Sequence, residues 1–260
     1  MDDSVKNIQC KNCGANVAMD GKNMVLRCAF CDSEYVVEVP ESEAEKKLRE
    51  EGSVIAFKVE KVEARQKVGK WLLKGLFKPS DFSTSFQEKD FAGIFLPSYK
   101  VGSDATSNWT GTKKYQVRAA TDSEPAEYDY QRKSGTHQQH YDDYIVASGG
   151  LPQAEVDGIL PYDHTAAVPF KPEFMLGYGA EKPTLSRDDA EVRARERVRD
   201  KERSACSSGL DSLDSCETRI DNLKAVLFML PIWIFAYIYG GKVYRVLVNV
   251  AQEHGAQGRQ

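Results

Sequence analysis

No apolar run in this chain reaches the roughly 20 residues that a membrane-spanning helix needs. The longest, AVLFMLPIWIFAYIY from Ala225 to Tyr239, is uncharged, but it stops at fifteen residues and Pro231 interrupts it. Its β-branched and aromatic composition, with GGKVYRVLV following as a second strand pattern, predicts a buried sheet strand beside a neighbour. Net charge is equally scarce. Lys and Arg number 35 against 39 Asp and Glu, which leaves −4 at pH 7 and a pI near 5.7. No global basic field therefore draws the chain to nucleic acid or anionic lipid, and any such contact must be a local patch. The opening MDDSVKNIQC is acidic and has no apolar stretch, so a secretory leader is not expected and the cytoplasm is the expected compartment. Nucleotide and hydrolase motifs are missing too. Gly69-Lys70 runs into Trp71 and Gly241-Lys242 into Val243, without the Ser or Thr that reaches Mg²⁺ in a phosphate-binding loop. Neither G-x-S-x-G nor H-E-x-x-H occurs.

What the chain does have is six cysteines, four of them in two C-x-x-C pairs. In a chain without a leader, that spacing reads as a metal site in a reducing compartment. The first pair is Cys10-Lys11-Asn12-Cys13-Gly14 and the second Cys28-Ala29-Phe30-Cys31-Asp32, with fourteen residues between them. A tight turn over C-x-x-C brings two sulfurs to one side, so that both reach a single ion at about 2.3 Å. Asp20-Gly21 is a hairpin turn signal between the pairs, and EYVVEV supplies a third strand. Residues 1–40 are therefore expected to form a zinc ribbon, with one structural Zn²⁺ held by Cys10, Cys13, Cys28 and Cys31. Four thiolates leave no open position for water, so the site is structural. Iron in a similar site and a dithiol redox role are the alternatives. Cys206 and Cys216 lie ten residues apart in a polar stretch and read as free thiols.

Behind the ribbon, residues 41–52 (ESEAEKKLREEG) read as a charged linker or short helix ending at Gly52. Residues 53–250 read as an α+β body, mostly antiparallel sheet with two helices, before a frayed tail at 251–260. The first helix is expected from Lys61 to Lys74, with Val68, Leu72 and Leu76 on one face. The second starts after Ser186, with Asp189 as a capping-box acid, and its Asp189/Arg193 and Glu191/Arg195 pairs give it a charge-laced face. SACSSGLDSLDSCETR after it reads as a flexible loop. A weak repeat joins the halves 53–150 and 151–250. Phe57-Lys58 answers Phe170-Lys171, and Leu96-Pro97-Ser98-Tyr99 answers Leu230-Pro231-Ile232-Trp233. Two related strand–helix–hairpin units follow from that reading, with each Pro at a strand start, an edge or a bulge. Chance similarity of two strands is the alternative.

Outside the cysteines, the richest group of possible ligands is His137, His140, Asp142 and Asp143 in GTHQQHYDDY. An i,i+3 His pair converges on a helix, but the flanking residues here predict strand or turn, where it does not. Lys67 to Lys78 (KVGKWLLKGLFK) interleaves basic and apolar residues and reads as an amphipathic helix or a small basic face.

The order of these motifs resembles a bacterial family of zinc-ribbon proteins, with a ribbon of the transcription-factor-IIB type, often labelled primosomal helicase-like. The matching positions are Cys10 to Gly14, Cys28 to Cys31, Leu96 to Tyr99, Ser134-Gly135, Asp142-Asp143, Val146 to Ser148, Leu151-Pro152, Val168 to Phe174, Gly177, Leu230 to Trp233 and Gly241 to Asn249. Two positions depart from the pattern: Asp32 stands where a Gly commonly follows the second knuckle, and Val250-Ala251 replaces the turn expected after Asn249. The resemblance implies a non-enzymatic zinc-binding protein, and the missing nucleotide motifs speak against a helicase. The expected function is an adaptor whose ribbon or body docks another protein. A nucleic-acid-associated ribbon using Lys11, Lys22, Arg27 and the 67–78 segment is the alternative, and an enzyme at His137, His140 and Asp142 the third reading.

Overall fold

A computed structural model describes residues 6–9, 16–19, 25–27, 34–36, 43–74, 87–121, 124–239 and 242–249. At the N-terminus β1 (Lys6–Gln9) pairs antiparallel with β2 (Asn16–Met19), and β3 (Val25–Arg27) with β4 (Glu34–Val36). Cys10, Cys13, Cys28, Cys31 and the tail 251–260 lie outside the described residues.

Seven further strands share one sheet: β5 (Ser53–Ile55), β6 (Gln87–Arg118), β7 (Glu127–Val146), β8 (Ala167–Pro169), β9 (Gly179–Ala180), β10 (Ser212–Tyr239) and β11 (Lys242–Asn249). The order is β7-β6-β10-β5-β8, with β11 on β10 and β9 on β6. Among the described residues four α-helices accompany them: α1 (Glu43–Glu51), α2 (Lys61–Lys74), α3 (Gln153–Asp157) and α4 (Arg187–Ser207).

The expected α+β body, mostly antiparallel with two helices and two strand–helix–hairpin units, is not what forms. β10 runs parallel to β5 (Phe228↔Ser53, Met229↔Val54), and β6 parallel to β9 (Ile94↔Gly179, Phe95↔Ala180). The sheet is therefore mixed, and the supposed units exchange strands: β5 of the first half joins β10 of the second, and β9 of the second joins β6 of the first. The physical reason is length. β5, β8 and β9 are two or three residues long, too short to show the alternation that marks a strand, and α1 and α3 are too short to show a full apolar stripe. The two prolines also sit inside strands, not at their starts. Pro231 falls between Met229, the last residue paired with β5, and Ile232, the first paired with β11, so its missing N–H costs no ladder bond in either pairing.

The chain divides into two compact units, Met1–Tyr99 with Val146–Arg187 and Val226–Gln260, and Lys100–Ile145 with Asp188–Ala225. In the first, α2 lays Ala64 and Val68 against Phe91, Trp233, Phe235, Val246 and Val248. Aromatic stacking orders this core: Phe57 on Tyr178 at 4.0 Å between ring centres and Phe91 on Trp233 at 5.1 Å. Trp233 Nε1–H donates to the Val59 carbonyl at 3.1 Å, so its polar edge is satisfied. Gly93 is required here, because a Cβ would meet Tyr178 Cδ1 at 2.7 Å and Trp233 Cζ3 at 2.9 Å. The apolar run from Ala225 belongs to β10, with Ala225, Leu227 to Trp233 and Phe235 all buried. Among the described residues no helix is long and apolar enough to cross a membrane.

Candidate functional site

Within the second unit, strand alternation decides which side chains meet. In β6 Val101, Ser103, Ala105 and Ser107 are buried, and the residues between them are more exposed. Thr136 Oγ1 donates to Asn108 Oδ1 at 2.9 Å, and His140 Nδ1 lies 2.7 Å from Asp104 Oδ1. These contacts set β7 antiparallel to β6 and stand His137 across from Ser107. His137 and Tyr141, four residues apart on a strand, share one face, while His140 points to the other.

The predicted His137/His140/Asp142 group is accordingly split. His140 and Asp142 lie on the outer face, where Asp142 Oδ1 contacts Lys100 Nζ at 3.1 Å and His140 Nε2 at 3.8 Å. His137 turns inward to α4. That helix buries Ala190, Ala194, Val198, Glu202 and Cys206, a single stripe at four-residue spacing. The helix continues to Ser207 and β10 starts at Ser212, so the segment expected as a flexible loop is ordered structure that turns at Gly209, with φ +78.

The last two members of the stripe are polar. Glu202 has a fully buried side chain. Its Oε1 accepts from Tyr141 Oη–H at 2.7 Å, and His137 Nδ1 lies 2.9 Å from Oε1 and 3.1 Å from Oε2. Burial alone raises the carboxyl pKa, but hydrogen bonds from Ser107, Tyr141 and His137 outweigh it and hold the group below the ordinary Glu range. Tyr141 is pushed up by burial and by the Glu202 carboxylate. One turn on, Cys206 is buried beside Cys216, Glu202 and Ser107. Its thiol is pushed up to about 12 by burial and then by Cys216 and Glu202. Ser107 Oγ is 2.7 Å from Thr218 Oγ1 on β10, and Cys216 Sγ is 3.8 Å from the same hydroxyl. Cys206 and Cys216 are both free thiols. A ligand atom from each of His137, Glu202 and Cys206 lies within 4.8 Å of the other two. Beside this group, buried Asp143 is neutralised from the same helix by Lys201 Nζ at 2.6 Å and Arg197 Nη2 at 3.4 Å.

Sequence reasoning named His137 and missed Glu202, Cys206, Tyr141 and Ser107. The available signal was the four-residue stripe of α4, which carries past the charged surface of the helix to Glu202 and Cys206. The four ribbon cysteines lie outside the described residues.

Fold and site together define a mixed-sheet protein with a buried polar cluster beneath one helix. The chain is similar to YdjG of Bacillus subtilis (strain 168), an uncharacterised protein, at 25% identity over 201 residues; the match covers 72% of this chain and 57% of YdjG. The chain thus spans a little over half the length of that relative. No family model and no solved structure matches it.

Proposed function

We propose that this chain is a non-enzymatic zinc-binding protein, an adaptor that docks another protein and carries one structural Zn²⁺ on Cys10, Cys13, Cys28 and Cys31. One observation carries the reading. Each C-x-x-C pair falls, in sequence, between two strands that pair antiparallel: Cys10 and Cys13 between β1 and β2, Cys28 and Cys31 between β3 and β4. Four thiolates are the donor set that selects zinc in a closed tetrahedral shell, and such an ion contributes folding energy and no chemistry. Thiolates kept for a metal call for a reducing compartment, which makes the cytoplasm the proposed location. Metal analysis of Cys10→Ser tests the site: zinc should be lost, and full retention overturns the reading. For the adaptor role, a protein captured from native extract by the zinc-loaded chain should be absent when Cys10→Ser is the bait.

A nucleic-acid role is the second reading, and one feature favours it. Exposed Tyr115, Tyr128 and Tyr130 lie near the β6–β7 connection with lysines over their rings. Lys114 Nζ sits 3.6 Å from the Tyr128 ring centre and Lys133 Nζ 5.7 Å from that of Tyr115. Aromatic faces with basic neighbours suit stacking on single strands. A salt-dependent mobility shift with single-stranded RNA or DNA supports this reading; no shift at low salt removes it.

A further inference from the structure

We propose that His137, Glu202 and Cys206 form a second metal site, separate from the ribbon, for a divalent first-row transition ion of the zinc type. The geometry is the first argument. The three donor atoms lie within 4.8 Å of one another, so an ion placed among them reaches all three after adjustments of a fraction of an ångström toward bonds of about 2.0–2.3 Å. Glu202 and Cys206 stand four residues apart on α4, which aims both side chains at one point. His137 faces them from β7 with Nδ1 already 2.9 Å from the carboxylate.

Charge is the second argument. The Glu202 side chain is fully buried, and among the described residues its one ion-pair partner is His137, whose side chain is 34% exposed. By contrast Asp143, the other buried carboxylate facing α4, has two permanent cations against it. A dication is the group that matches a buried carboxylate, an imidazole and a thiol at once. The surroundings are the third argument. Tyr141 hydrogen-bonds the carboxylate at 2.7 Å, and Ser107 stands beside both Glu202 and Cys206. Metal ligands are commonly oriented by such outer hydrogen bonds. One nitrogen, one oxygen and one sulfur donor favour zinc over calcium or magnesium, which take oxygen ligands.

The test uses the full chain, reconstituted with Zn²⁺ under a phosphine reductant that keeps Cys206 and Cys216 reduced, then desalted. Wild type should hold one zinc more per chain than either Cys206→Ala or His137→Ala. Cys10→Ser should lower the count on its own, so the ribbon and this site are scored separately. Equal zinc in wild type, Cys206→Ala and His137→Ala overturns the proposal, whatever Cys10→Ser shows. Because Cys206 is buried, Co²⁺ titration of the wild-type chain provides a second readout. A sulfur-to-cobalt charge-transfer band that survives in Cys10→Ser and disappears when His137→Ala is added supports the site. The same band unchanged by His137→Ala overturns it.

Discussion

Asn249 shows what one buried amide does in this fold. Its Nδ2 donates to the Ile159 carbonyl at 2.7 Å and to the Pro161 carbonyl at 2.9 Å. Asn249→Ala leaves two carbonyls without their donor, and urea unfolding should register a loss of about 1–3 kcal/mol; a change under about 0.5 kcal/mol refutes that role. The Cys206 thiol, pushed up by burial and by Cys216 and Glu202, gives a chemical prediction for the metal-free chain. The thiolate is the reactive form, so folding should withdraw it. Iodoacetamide should therefore modify Cys206 far more slowly in the folded chain than in urea, as read by peptide mass spectrometry. Asp104 supplies the pH dependence. Hydrogen bonds from Asn222 and His140 hold its carboxyl below the ordinary value, and Asn222 makes its bond from a left-handed backbone, φ 53. A depressed folded pKa stabilises the protein above the unfolded value near 3.9, and that contribution disappears as pH falls through the folded value. The melting temperature of wild type should thus fall more steeply on the acid side than that of Asp104→Asn, and parallel curves count against the pairing. At this scale His137 was legible as a polar candidate, and the side chains it meets were not. Glu202 sits among twelve other charged residues of its helix, and nothing local marks it as the buried one.

Among the elements, those with a clear apolar period were readable, whereas the polar first half of β10 was expected as a loop. α2 spans Lys61–Lys74 as the sequence predicts, and the apolar run from Ala225 is a buried strand. The partners of β5, β8 and β9 were not readable, because their pairing is fixed by residues far along the chain and not by their own few residues. The same holds for the parallel pairings that make the sheet mixed. β6 offers a direct test at Gly93, where any Cβ strikes Tyr178 and Trp233. Gly93→Ala should cost about 1–3 kcal/mol through overpacking and shift tryptophan fluorescence. A variant as stable as wild type would show that the two rings have room to yield. The stripe of α4 also sets how that helix seats. Ala190, Ala194 and Val198 are its buried apolar members, and Glu202 meets His137 and Tyr141 at its far end.

For the whole molecule, the near balance of 35 basic and 39 acidic side chains predicts ion-exchange behaviour without reference to the fold. The chain should bind an anion exchanger at pH 7 and elute without added salt as pH approaches 5.7; retention on a cation exchanger at pH 7 contradicts the charge count. The division into two units has a consequence for the order in which a ribosome delivers the protein. The second unit has all its segments once residue 225 is made, whereas the first waits for residues 226–260. Val59, Ala64 and Val68 emerge well before Trp233, Phe235 and Val246, the side chains that cover them. At roughly 5–20 residues per second, that interval is on the order of ten seconds or more. A nascent chain therefore carries half a core bare while the other unit can already close, and guarding that half falls to whatever chaperone meets it during synthesis.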